Sequence, residues 1–248
     1  MIFDLNFLQF FLLAIVIFFS ALIQASLGLG FTLFAAPFVV FINPNLAPVP
    51  LLILGFLTST VMAVKSISRV VWIDIKISVF GRLLGVISAF FVLRTITSDK
   101  VFLILYACSI LFLVVLSILK FNPTFNKTNL FFASIVSGLT GTVTSVGGPP
   151  MALIYQEQKP ETSKPTLSLL FSLGSGLSLV ALYFAGRVEL KYVYSSLLLL
   201  PICIIGLYCN KYLKVFSLQQ YRFGLLAVAG FGALILLFNV IFYNEFAN

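Results

Sequence analysis

The sequence predicts an all-α membrane protein. The expected form is a polytopic helical bundle of two homologous, inverted halves, each opening with a glycine-rich broken or hairpin helix. Three observations carry this: scarce charge, long apolar runs and an internal repeat. Asp, Glu, Lys and Arg make up only 9% of the 248 residues, His is absent and 61% of the chain is hydrophobic. A soluble chain of this length could not cover so much apolar surface with so few ionised groups.

The apolar runs fall at residues 7–25, 47–64, 77–93, 101–119, 167–185, 192–207 and 223–242. Most are near or somewhat below the roughly 20 residues an α-helix needs to cross the hydrocarbon core. The N-terminus carries only Asp4 and lacks the basic region of a secretory signal, so residues 7–25 are expected to be retained membrane structure. No polar stretch is long enough for a soluble domain, which makes residues 1–248 one membrane domain. The net charge of +8 sits in clusters between the runs. It reads as loop charge facing anionic lipid, with no nucleic acid as partner. Cys108, Cys203 and Cys209 lie in or near apolar helices without metal-ligand spacing and read as small hydrophobes.

The repeat runs through the whole chain. Ala25 and Gly28 fall opposite Gly138 and Gly141, Pro37 opposite Pro150, and Ser59 opposite Ser172. Arg69-Val70 recurs as Arg187-Val188, Gly85 as Gly206, and Leu93-Arg94 as Leu213-Lys214. Each pairing is weak alone, but their common order points to a duplication, 1–121 and 124–248, with its boundary near Asn122-Pro123. Duplicated membrane halves are a recurring build for transporters.

Each half opens with an interrupted helix. In the first, Ser26-Leu27-Gly28-Leu29-Gly30 separates residues 7–25 from 31–42. In the second, residues 130–137 lead into a Gly/Thr/Pro stretch over 138–150, followed by 151–155. Glycine frees the backbone, and proline suits the first turn of a helix. Backbone unwound at membrane depth has to be buried in protein or line a wet cavity.

Charge decides between two paths. If each interrupted segment crosses straight through, basic residues divide equally between the two sides. If each turns back as a hairpin, one side gathers Lys65, Arg69, Lys76, Lys120, Lys127, Lys159, Lys164, Lys211, Lys214 and Arg222. The other keeps Arg94, Lys100, Arg187 and Lys191. Only the hairpin path obeys the positive-inside rule. It makes the halves inverted and puts both termini outside the cytoplasm.

The breaks resemble a known family. Ser137-Gly138-Leu139-Thr140-Gly141 running into Gly147-Gly148-Pro149-Pro150, Gln24-Ala25-Ser26-Leu27-Gly28-Leu29-Gly30 and Ala185-Gly186-Arg187-Val188 are similar to segments of the sulfite exporter TauE/SafE family of membrane permeases. Ala25 departs from the glycine expected there, and residues 142–146 separate the second set of glycines. The resemblance implies a multi-pass protein of the bacterial inner membrane that carries small anions, often sulfur oxyanions, sulfonates or related organic acids, without a cofactor.

The residues reach the same class independently. Helix N-termini at Phe31 and near Pro149 would turn N–H groups toward an anion. Gln24, Ser26, Thr32, Thr140, Thr142, Thr144 and Ser145 add donors, and Gly28, Gly30, Gly141, Gly147 and Gly148 let the backbone come close. Ser168, Ser172 and Ser175 follow helical spacing, as do Gly55, Ser59 and Met62; such stripes serve helix packing or substrate contact. Arg82 either sits inside a span on an anion path or snorkels to the interface. Glu157, Lys159, Glu161 and Lys164 read as a solvated loop, and Trp72 and several tyrosines as an interfacial belt. There is no P-loop and no nucleophile–base or metal-ligand constellation, so ATP hydrolysis and intramembrane catalysis are not expected. An anion channel and a non-transporting subunit of a larger complex remain alternatives. An apolar face meets lipid or a second copy equally well, which leaves a homo-oligomer open.

Overall fold

Inside a bilayer every backbone N–H and C=O needs a partner within its own segment, and helices supply it. The computed structural model describes residues 6–43, 46–96, 98–118, 123–209 and 218–242. Among these residues there are ten α-helices and no strands. They are α1 (Phe7–Leu27), α2 (Phe31–Ile42), α3 (Val49–Lys65), α4 (Trp72–Thr95), α5 (Asp99–Ile118), α6 (Lys127–Thr144), α7 (Gly148–Tyr155), α8 (Pro160–Phe184), α9 (Leu190–Cys209) and α10 (Leu218–Phe242). Four of them, α1, α4, α8 and α9, are long and apolar enough to cross a membrane. Asp4, Lys120, Asn122, Lys211, Tyr212, Leu213 and Lys214 lie outside the described residues, as do the side chains of Tyr221 and Arg222.

Local chemistry sets the ends. Asn6 and Gln9 cap α1 reciprocally, at 2.8 and 3.0 Å. Asn126 caps α6 by accepting from Asn129 N at 2.7 Å. Pro160 opens α8, so Glu161 and Lys164 belong to its first turns and not to a loop. The helices also run further into the glycine stretches than expected. α1 continues to Leu27, and α6 continues through Gly138–Thr144, leaving only Ser145, Val146 and Gly147 outside helix. Threonine hydroxyls here bond back to carbonyls one turn earlier, which satisfies them inside the bundle, and Gly138 and Gly141 serve close packing against Arg82.

The closest packing is α4 on α6. A Cβ on Gly81 would stand 2.5 Å from Phe131 O, and one on Gly85 would overlap Ile135 O. α9 meets α1 the same way: a Cβ on Gly206 would stand 2.6 Å from Phe18 O. In lipid, where helix association gains little from the hydrophobic effect, such close backbone approach supplies the van der Waals contact. α3 and α8 pair centrally, with Phe56 against Gly176 and Thr60 Oγ1 2.7 Å from Ser172 Oγ. Large apolar side chains such as Phe80, Phe91, Phe132, Tyr183 and Phe184 face outward.

The second interrupted segment folds back. Ser137 Oγ donates to Gly147 O at 2.7 Å, Ser134 Oγ lies 3.6 Å from Met151 Sδ, and the Tyr155 ring meets Phe125 just before α6. Position along α7 therefore rises as position along α6 falls. Tyr155 Oη also donates to Asp74 Oδ2 at 3.0 Å, at the start of α4. The first segment turns likewise. Ala25 lies by Met62 and Ser66 near the end of α3, Gln24 bonds Ser59, and Phe31 and Thr32 lie by Gly55.

Two contacts mark the ends of the bundle. Val71 N donates to Thr166 Oγ1 at 3.0 Å, which brings the starts of α4 and α8 together with Arg69 and Lys164. At the opposite end Arg187 donates to Ile96 O, and Leu93, Leu182, Val188 and Tyr192 pack together.

Two measurements check this arrangement. Gly85→Ala is expected to destabilise the bundle by about 1–3 kcal/mol, the usual cost of overpacking, read as a lower unfolding temperature in detergent. Gly224→Ala, where an added Cβ meets nothing within 4 Å, is expected to cause no loss of stability. Reporters fused to either terminus are expected on the side opposite Arg69 and Lys164.

Candidate functional site

The two breaks are built from different chemistry. At the first, Gly28 takes φ 77° and Gly30 φ 106°, left-handed conformations that a side chain would strain. Gln24 is buried and organises the turn. Its Nε2 donates to Ser59 Oγ at 2.9 Å and reaches Gly28 O at 3.4 Å, while its Oε1 accepts from Phe31 N at 3.2 Å. Ser168 Oγ also reaches Gly28 O at 3.4 Å. The N–H of Phe31 is thus already engaged. The Thr32 methyl lies beside Gly55, and Ser26 donates to Leu22 O on its own helix.

At the second break Ser145 adopts φ 62° and donates to Thr144 O. Thr140, Thr142 and Thr144 donate to carbonyls one turn earlier at 2.8–2.9 Å. Thr142 Oγ1 additionally pairs with Ser178 Oγ at 2.8 Å. Thr144 Oγ1 accepts from Val146 N at 3.1 Å. The Tyr106 hydroxyl, on α5, is buried and approaches Ser145 without reaching hydrogen-bond geometry. α7 starts at Gly148, and Pro149 and Pro150 follow with no N–H to offer. The helix N-termini therefore provide fewer free donors than the sequence suggests.

What lies beside the second break is a charge. Arg82 is only 2% exposed, ten residues into α4 from Trp72. It does not snorkel. Its Nη1 donates to Ser137 Oγ at 3.2 Å, and the guanidinium carbon lies 5.2 Å from the Phe171 ring centre. Nε is buried with no partner. Among the described residues no carboxylate pairs with it. Glycines make its room: a Cβ on Gly174 would overlap Nε, and Cβ atoms on Gly141 and Gly147 would stand 3.2 and 3.4 Å from Nη2. Burying a unit charge in a medium of low dielectric is costly unless something of opposite sign compensates.

The structure thus divides the expected residues into groups. Gln24, Gly28, Gly30, Phe31 and Thr32 surround the first turn. Gly141, Gly147 and Arg82 meet beside the second, with Thr142, Thr144, Ser145, Gly148 and Pro149 along its rim. Ser172 pairs with Thr60 between α3 and α8, and Ser175 is buried one turn further on. Ser137, Ser178 and Gly174 were not singled out from the sequence as ligands, yet they fix Arg82 and Thr142. One signal for Ser137 was its spacing: it precedes Gly141 by four residues as Gln24 precedes Gly28.

The family model for the sulfite exporter TauE/SafE matches residues 13–236, nearly the whole chain. The chain belongs to the sulfite exporter TauE/SafE family. No curated protein and no solved structure matches it significantly. Membership together with the apolar helices makes it a multi-pass membrane transporter, and the family is not an enzymatic one.

In this family member Gly174 is expected to be as sensitive as the arginine it accommodates. Gly174→Ala displaces the guanidinium and should reduce transport about as much as removing its charge. Gly176→Ala, whose Cβ would meet only the Phe56 ring at 3.5 Å, is expected to leave most activity. Flux in proteoliposomes compares the two.

Proposed function

We propose that the chain is a secondary permease for small anions, with sulfur oxyanions, sulfonates and related organic acids as its substrate class. The observation that carries the proposal is Arg82, a buried guanidinium in the middle of α4 with one hydroxyl partner and, among the described residues, no carboxylate. An ionised side chain inside a span marks a substrate or ion path. A sulfonate or sulfite accepts hydrogen bonds from a guanidinium in the same forked geometry that a carboxylate does. The family description, a sulfite exporter, agrees with that chemistry.

In this reading the anion passes between two re-entrant helix pairs, α1–α2 and α6–α7, that enter from opposite faces. Gln24, Ser26, Gly28, Gly30, Phe31 and Thr32 line one approach. Thr140, Gly141, Thr142, Thr144, Ser145, Gly147, Gly148 and Pro149 line the other, with Ser172 and Ser175 between. The packing supports an inverted duplication of 1–121 and 124–248. α1 packs on α9 as α6 packs on α4, α2 on α10 as α7 on α5, and α3 on α9 as α8 on α4. The end rich in basic residues faces the cytoplasm of a bacterial cell. An inside-negative potential then drives export of a monoanion with about 2.3 kcal/mol per 100 mV.

The test is flux. Purified protein in liposomes is expected to move sulfite, methanesulfonate or acetate saturably, and faster when an imposed potential favours anion exit. Arg82→Gln should lower flux about tenfold or more while leaving insertion intact, with Arg82→Lys intermediate. Undiminished flux in Arg82→Gln overturns the assignment, and unitary conductance steps in planar bilayers would make the protein a channel.

A further inference from the structure

The bundle holds a cavity of about 240 Å³ at its basic end, between the end of α3 and the start of α8. Arg69 and Lys164 stand around it, with Ser66 and Ser168, and Ala25 and Met62 supply apolar wall. Among the described residues the Arg69 guanidinium makes no hydrogen bond or ion pair. Glu161 shares the rim, so the ionised groups sum to one positive charge. The cavity lies directly over the first break: Ala25 follows Gln24, the backbone and Cβ of Lys164 abut Gly28, and Ser168 Oγ reaches Gly28 O. At the opposite end of the bundle Val49, Leu52, Ala89, Leu93, Val143 and Leu182 form a buried apolar cluster.

We infer that this cavity is a loading site on the cytoplasmic face, which captures a small organic monoanion before it enters the bundle. The inference rests on the permease reading and adds to it a place, a side and a ligand class. One net positive charge suits one negative head. A charge-lined concavity with low-dielectric walls concentrates counter-ions and raises their rate of entry. The volume exceeds what a bare inorganic oxyanion fills, and the methionine and alanine walls suit a short alkyl group. An alkylsulfonate or short carboxylate satisfies both. The anionic headgroup of a lipid shares this chemistry, so the experiment separates the two.

Ser66→Cys, in protein whose three native cysteines are replaced by alanine, places a thiol on the cavity wall. In vesicles of phosphatidylcholine, an anionic methanethiosulfonate is expected to label it about tenfold faster than a cationic one. Labelling is expected from the basic face only, and ethanesulfonate is expected to protect. Adding Arg69→Gln leaves Lys164 and Glu161 to cancel and should bring the two rates together; adding Lys164→Gln as well leaves Glu161 alone and should reverse the preference, and both should abolish protection. Arg69 is exposed, so Arg69→Gln alone tests the charge without threatening the fold. Equal rates in the parent, no protection, or labelling from the opposite face overturns the inference. So does protection that requires phosphatidylglycerol in the vesicles, which would make the site a headgroup site. Flux on the same preparations keeps the two readings apart. Anion flux that persists when labelling shows no charge preference removes the loading site alone; wild-type protein that moves no anion removes the permease.

Discussion

The arrangement of the second half depends on accommodating one buried positive charge. Arg82 needs room, and Gly141, Gly147 and Gly174 give it by having no side chain. It needs a hydrogen-bond acceptor, and Ser137 gives one while donating its own hydrogen to Gly147 O. That single hydroxyl ties the guanidinium to the fold-back of α7. The helix before the break, the break itself and the charge are therefore one unit. Changing any of them changes the surroundings of the guanidinium.

The first half reaches a similar shape with neutral chemistry. Gln24 holds its turn by bonding Ser59, Gly28 O and the N–H of Phe31 together. α4 carries the buried Arg82, and α9 the buried Cys203. The second turn thus has a buried guanidinium beside it and the first a neutral amide, so the two turns differ electrostatically.

Much of this was legible in the sequence. Sparse charge and long apolar runs predicted helices and their approximate limits, because lipid leaves the backbone few choices. The basic residues predicted which loops share a side; in the fold Arg69 and Lys164 share one end, and Arg187 meets Ile96 at the other. The extent of the second break was not legible. Glycine and proline density suggested thirteen unwound residues over 138–150, yet helix persists through Thr144. Composition cannot tell a glycine that frees the backbone from one that lets a neighbour come close, and Gly138 and Gly141 are of the second kind. The depth of Arg82 was equally hidden, since a side chain two turns from Lys76 can reach either way. Gly174, eight residues beyond Thr166 on another helix, decides it by leaving a hole.

α4 also carries Asp74, and the spacing 74, 78, 82 sets that acid on the same buried stripe as the arginine. The two cannot pair. Eight residues of helix hold their backbones about 12 Å apart, where attraction amounts to about 1 kcal/mol at an effective dielectric of about 20. Tyr155 has already claimed the carboxylate. The helix thus carries its one acid and its buried base on the same stripe but apart in space, and the rigidity of a single α-helix is what keeps that acid from silencing that base.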